Sequence, residues 1–207
     1  SKPKRCKRTT CIDGTINVSR GTSWIINKNK HRNMKHEEVL AHIRDVKDFP
    51  VPGIVFKDIT TVLSNPEYLK WMKDEIVNLY RAYGITKVVG IESRGFILGP
   101  AVAMDLGAGF VPVRKPGKLP AETIEVSYSK EYGVDTIQIH ADALNENDVV
   151  LLHDDLLATG GSMAAALELV RKFGVKKVYI NFIIELDFLN GRKTIGDDVE
   201  ISSLLNC

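Results

Sequence analysis

Apolar and polar positions alternate along this chain with two periods, and the switches between them mark the elements. From His36 to Lys47, Val39, Leu40, Ile43 and Val46 fall on one helical stripe, and the following Phe49-Pro-Val-Pro-Gly53 predicts a stiff loop because proline cannot continue a helix. Asn65-Pro66 has the form of an N-cap with proline at the first helical position. Leu69, Met72, Ile76 and Leu79 or Tyr80 supply the buried face of the helix behind it, which closes near Gly84. Lys87–Ile91, Phe110–Val113, Val149–Leu152 and Lys177–Leu186 are short apolar runs that predict buried strands. Arg94–Leu106 and Ser162–Phe173 are helical between them, the second with Met163, Ala166, Leu167 and Val170 facing inward. Thr123–Tyr128 and Asp135–His140 alternate as a projecting two-stranded ribbon that turns at Glu131-Tyr132-Gly133. Strand, helix, strand at this spacing predicts an α/β domain with an open parallel sheet flanked by helices.

Composition changes that picture at one end only. The 207 residues carry a net charge of +2, yet residues 1–33 hold nine Lys or Arg against Asp13 alone, so the remainder is at −6. Such a break marks a tail joined to a domain. Residues 1–33 therefore read as a basic N-terminal extension, a mobile arm or a non-native leader rather than a nucleic-acid or transit segment, and residues 34–207 as the domain. The cluster Trp24-Ile25-Ile26 is the tail's one apolar feature, and no function is assigned to it. Of three cysteines, Cys6 and Cys11 lie in the tail and Cys207 is last, which leaves no disulfide framework. The absence of any run of about 18 apolar residues or of a signal-type N-terminus makes a cytoplasmic protein with no membrane partner the expectation.

The densest chemistry follows the third apolar strand, in His153-Asp-Asp-Leu-Leu-Ala-Thr-Gly-Gly-Ser162. Gly160 and Gly161 let main chain approach an anion, N–H groups at the helix start point at it, and Thr159 and Ser162 add hydroxyls. Asp154 and Asp155 sit one loop earlier, where they accept hydrogen bonds from sugar hydroxyls or hold Mg²⁺ through water. The pattern fits a ribose 5-phosphate. Neither the P-loop nor the dinucleotide fingerprint is present.

This segment resembles the phosphoribosyl diphosphate signature of the type I phosphoribosyltransferases. Three further stretches are similar to the adenine-specific branch of that family: Phe49–Ile59, Ile91-Glu-Ser-Arg-Gly-Phe-Ile-Leu-Gly-Pro100, and Arg114-Lys-Pro-Gly-Lys-Leu-Pro120 running on to Tyr128-Ser-Lys-Glu-Tyr-Gly133. The resemblance spans Met34 to Leu189 and implies the type I phosphoribosyltransferase fold with a projecting two-stranded lid and an N-terminal hood. It implies a transferase of purine salvage that converts adenine and 5-phosphoribosyl 1-diphosphate into AMP and diphosphate with Mg²⁺, as a homodimer. On that likeness Ala158, Thr159, Gly160, Gly161 and Ser162 bind the 5-phosphate, and Asp154 and Asp155 bind the ribose and, via water, Mg²⁺. Glu92, Ser93, Arg94, Arg114 and Lys118 bind the diphosphate, with a cis peptide in the family at Glu92-Ser93. Val55, Phe56 and Lys57 meet adenine, Glu131 and Arg94 are catalytic, and Tyr132 closes the lid. Ser162 stands where the family commonly has Thr, and His153, where it has an apolar residue, reads as packed rather than metal-bound. Two alternatives stay open: transfer to another base, or a non-catalytic sensor of phosphoribosyl diphosphate whose basic tail binds nucleic acid, although the acidic body argues against a nucleic-acid partner.

Overall fold

The computed structural model describes residues 35–48, 52–53, 55–129 and 133–207. The expectations for residues 1–33, for Phe49–Val51 and for the ribbon turn with Glu131 and Tyr132 lie outside the described residues. Helix α1 covers residues 35–42. The first departure from the expected pattern follows at once, because the helix anticipated to Lys47 stops and Arg44–Lys47 is a strand, β1. It pairs antiparallel with β2, Val55–Asp58, Arg44 opposite Asp58 and Val46 opposite Phe56. The Arg44 guanidinium reaches Asp58 at 2.6 Å, and the Gly53 N–H donates to Asp48 Oδ1 at 2.7 Å across the connection. A cross-strand partner and a side-chain hydrogen bond that ties the connection together thus outweigh the helical stripe.

After a single-turn helix α2, Thr60–Leu63, the Asn65 side chain caps α3, Pro66–Tyr80, by accepting from the N–H groups of Glu67 and Tyr68. Met72 and Ile76 on its inner face are fully buried. Each such side chain contributes roughly 1.5–3 kcal/mol through removal from water. The main sheet then builds outward from β3, Lys87–Ile91. Helix α4, Gly95–Leu106, leads to β4, Gly109–Val113, on one side. The chain next makes the ribbon, β5 Thr123–Ser129 against β6 Val134–His140. It returns as β7, Val149–Leu157, on the other side of β3, and continues through α5, Gly161–Arg171, to β8, Lys177–Glu185. A short 3₁₀ turn, Asp187–Leu189, and α6, Gly191–Ile195, precede the edge strand β9, Glu200–Asn206.

The five-stranded order is β4-β3-β7-β8-β9 with every pairing parallel. One face buries Met163, Leu167 and Val170 of α5 against Val150, Leu152 and the ribbon's Ile137 and Ile139. The other buries α3 and α4 through Met72, Ile76, Leu98 and Val102. The chain leaves β3 for β4 on one side and comes back to β7 on the other. The carboxyl ends of β3 and β7 are therefore a topological switch point, where two loops diverge and open a crevice.

Candidate active site

Strand β7 is longer than its apolar run predicts, since pairing with β8 continues to Leu157 opposite Glu185. Asp154 and Asp155 consequently lie inside the strand and not in a loop after it, which corrects their expected placement. The rigid ladder fixes both side chains at the switch point. Asp155 is almost fully buried and receives Arg94, the residue capping α4 beyond β3, with Nε 2.9 Å from Oδ2. The Arg94 guanidinium also stands 5.5 Å over the Phe56 ring. Burial raises the Asp155 carboxyl above its ordinary value against the opposing pull of Arg94. Asp154 is raised well above its ordinary value, first by burial and then by the negative charge of Asp155 beside it. Two adjacent carboxyls share one arginine, a concentration of negative charge that favours a cation or donating hydroxyls between them.

The other diverging loop opens with Glu92-Ser93, whose peptide is cis. The Glu92 carboxylate is held by Arg114, Nε to Oε2 at 3.1 Å and Nη2 to Oε1 at 3.3 Å, and by the Lys115 N–H at 3.1 Å. These contacts, Arg114 foremost, keep it below the usual carboxylate range. Arg114 exchanges main-chain hydrogen bonds with Gln138 on the ribbon and donates to the Lys118 carbonyl. Lys118 itself is exposed.

The turn after β7 has the expected form. Gly160 adopts φ +86°, and α5 starts behind it. A Cβ at Gly160 would lie 2.3 Å from the Gly191 carbonyl oxygen, so glycine is required there by conformation and by space. The Ser162 hydroxyl hydrogen-bonds the Tyr128 hydroxyl of the ribbon at 3.0 Å.

Two cavities meet here. One, of about 240 Å³, is lined by Glu92, Ser93, Arg94, Lys115, Tyr128, Asp135, Asp154, Asp155 and Ser162 among others. A larger one of about 920 Å³ brings Val55, Phe56 and Lys57 of β2 to Ala158, Thr159, Gly161 and Ser162. The structure thus gathers the segments expected to hold phosphate, sugar and base around one crevice, with Arg114 and Lys118 outside both linings. Lys57 turns its ammonium to Asp45 at 2.8 Å, which raises it.

Sequence reasoning passed over Asp135, whose carboxylate lies 3.6 Å from Lys115 Nζ, and the wall formed by Phe188, Leu189 and Thr194. The Asn190-Gly191 dipeptide was the available signal for a turn there. His153 is buried, with Nδ1 3.1 Å from Asn181 Oδ1, and Asn181 in turn donates to Ser202. Desolvation lowers it to about 4. Among the described residues, no three His, Cys, Asp or Glu side chains cluster as a metal site.

A family model for the phosphoribosyl transferase domain matches residues 58–198. This chain belongs to the phosphoribosyltransferase family. Within it the chain is similar to proteins named adenine phosphoribosyltransferase: that of Bacteroides thetaiotaomicron is 62% identical over 172 residues, 83% of this chain and 98% of the relative. The crystal structure of adenine phosphoribosyltransferase from Rhodothermus marinus superposes with a TM-score of 0.80 at 49% identity, over 84% of this chain and 99% of that one. That of the Saccharomyces cerevisiae protein, complexed with D-2,5-dideoxy-2,5-imino-altritol 1,6-bisphosphate and adenine, gives 0.78 at 40% identity over 84% and 99%. The parallel sheet with flanking helices is the type I phosphoribosyltransferase fold. Among the described residues no helix is long and apolar enough to cross a membrane.

Proposed function

We propose that this phosphoribosyltransferase transfers the 5-phosphoribosyl group of 5-phosphoribosyl 1-diphosphate to adenine, giving AMP and diphosphate in purine salvage. The observation that carries the reading is the meeting, at one switch point, of the Arg94–Asp155 pair with the Gly160 turn. The turn from Ala158 to Ser162 takes the 5-phosphate on main-chain N–H groups and the Thr159 and Ser162 hydroxyls. Asp154 and Asp155 accept from the ribose hydroxyls. The Glu92-Ser93 main chain and Arg94 meet the diphosphate, with Arg114 and Lys118 approaching from the neighbouring loop.

Bond making and breaking occur at one carbon. As the C1–oxygen bond to diphosphate breaks, positive charge grows on the sugar and negative charge on the leaving group, while purine N9 forms the new bond and loses its proton. Cations preorganised on the leaving group address the larger part of the barrier, and one such contact is typically worth on the order of a hundredfold in rate. The oxygen-only donors that Asp154 and Asp155 present in the cavity lining fit Mg²⁺ carried in by the donor's own oxygens and water. When bound, that ion neutralises charge on the diphosphate. Val55 and Lys57 offer main-chain groups to the adenine edge, Phe56 lies by the ring, and Glu131 exchanges the proton at the base under a lid that Tyr132 helps to close. Closure excludes water from the cationic sugar.

Residues 34–207 make up the catalytic domain in this reading, acting as a homodimer in the cytoplasm. The homodimer is supported by the exposed Ile97 and Met104 on α4. A base panel tests the whole: adenine, hypoxanthine, guanine and xanthine, each with donor and Mg²⁺, scored for diphosphate release. Turnover confined to adenine is expected. Release with another base, or with none, would overturn the assignment.

A further inference from the structure

The turn proposed to hold the phosphate does not stand alone, because the first residue of α6 is pressed against it. A Cβ on Gly160 would meet the Gly191 carbonyl oxygen at 2.3 Å, and a Cβ on Gly191 would meet the Ala158 carbonyl oxygen at 2.3 Å and the Leu157 side chain at 2.8 Å. Two main-chain segments are in contact with no side chain between them, so the position of α6 sets the position of the turn. Helix α6 has only five residues, too few to hold a place by its own hydrogen bonds. What holds it is Arg192. Its Nε and Nη2 donate to both oxygens of Glu185 at 2.7 and 2.6 Å, and its Nη1 donates to the Ile201 carbonyl on β9 at 2.9 Å. The Ser203 hydroxyl donates to the same carboxylate at 2.6 Å. Glu185 is 6% exposed and ends β8 directly opposite Leu157, the last residue before the turn. Its carboxyl is kept low by Arg192 first and Ser203 next, so it stays charged in its place.

We propose that Glu185 and Arg192 are positioning residues for the donor's 5-phosphate: a forked ion pair, one strand away, that presses Gly191 onto the turn and fixes the direction of its N–H groups. The inference rests on the reading of Ala158–Ser162 as the phosphate site. It reaches the chemistry through geometry alone, since Arg192 spends its donors on Glu185 and β9. The forked geometry matters because a planar guanidinium satisfies both carboxylate oxygens at once, which an ammonium cannot do. Displacements near 1 Å at a binding group cost on the order of a hundredfold.

The test titrates ribose 5-phosphate into wild type, Arg192→Ala, Arg192→Lys and Ser203→Ala, and compares steady-state constants for donor and base. Arg192→Ala should weaken ribose 5-phosphate by roughly ten- to a hundredfold and raise KM for the donor in step. KM for adenine should move by less than about twofold, and Arg192→Lys should recover only part of the loss. Ser203→Ala, which loosens the fork by removing the hydroxyl that holds the Glu185 carboxylate, keeps the test informative if Arg192→Ala fails to fold: it should weaken ribose 5-phosphate by a few-fold without lowering the melting temperature by more than a few degrees. Equal binding by wild type and both mild variants would overturn the positioning role, as would parallel losses for donor and adenine. Failure of wild type itself to bind ribose 5-phosphate would overturn the phosphate site as well, which separates the two claims.

Discussion

Replacing Arg94 by methionine keeps an unbranched stem against Phe56 and removes the charge that faces Asp155. The Asp155 side chain is 3% exposed and that of Arg94 40%, with 2.9 Å between Nε and Oδ2. At an effective dielectric of about 20, unit charges at that distance attract by about 5–6 kcal/mol. Solvent screening at the exposed guanidinium, and proton uptake by the carboxyl left behind, reduce the net loss on deletion to about 2–3 kcal/mol. The loss depends on pH with a definite sign. Burial raises the Asp155 carboxyl and Arg94 opposes the rise, so Arg94→Met raises it further. A carboxyl raised above its unfolded value near 3.9 leaves the fold most stable below that value and loses stability as pH climbs through the folded one. The variant should therefore trail wild type by about 2–3 kcal/mol at pH 8 and converge on it toward about pH 4. Urea unfolding followed by circular dichroism at several pH values, with EDTA present, measures this. A deficit of constant size across the range would refute the ion-pair account and assign the loss to packing on Phe56. In the same variant, turnover should fall on the order of a hundredfold or more.

Four other outcomes are expected. Glu131→Gln should lower turnover by on the order of a hundredfold while leaving donor binding near wild type, measured by titration calorimetry; unchanged turnover would remove Glu131 from the chemistry. Gly160→Ala, at φ +86° and against the Gly191 carbonyl, should abolish ribose 5-phosphate binding and cost about 2 kcal/mol or more of stability, readable in the same titration and a urea curve. His153, lowered to about 4 by burial, stays neutral in the fold while the unfolded chain protonates near 6.5. Stability should thus drop by about 3 kcal/mol between about pH 6.5 and 4, and His153→Leu should flatten that slope in EDTA. Deleting residues 1–33 should leave turnover near normal; loss of activity would show the tail to be part of the working enzyme.

Much of the fold was legible because its signals are local. The apolar runs at Lys87, Phe110, Val149 and Lys177 became four of the five parallel strands, and Asn65-Pro66 caps α3 as its pattern foretold. The errors fall where a partner distant in sequence decides. Val46 lies on a helical stripe, yet it pairs with Phe56 across a hairpin. The pattern at Glu200–Asn206 is weak by itself and forms an edge strand because β8 offers it a parallel partner. Asp154 and Asp155 were expected in a loop because charge ends an apolar run, but the register with β8 carries the strand past them to Leu157.

By itself the sequence determined which stretches bury a face, where the chain must turn, and that a glycine-lined helix mouth follows two acids. Those properties reside in the covalent order of neighbouring residues. Only the tertiary structure decided that Arg94 answers Asp155, that Arg114 pairs with Glu92, and that Gly191 backs the turn at Gly160. Such pairings depend on strand order and register. Periodicity says which side of its own segment a residue occupies, and the packing of segments far apart in the chain says what it meets there.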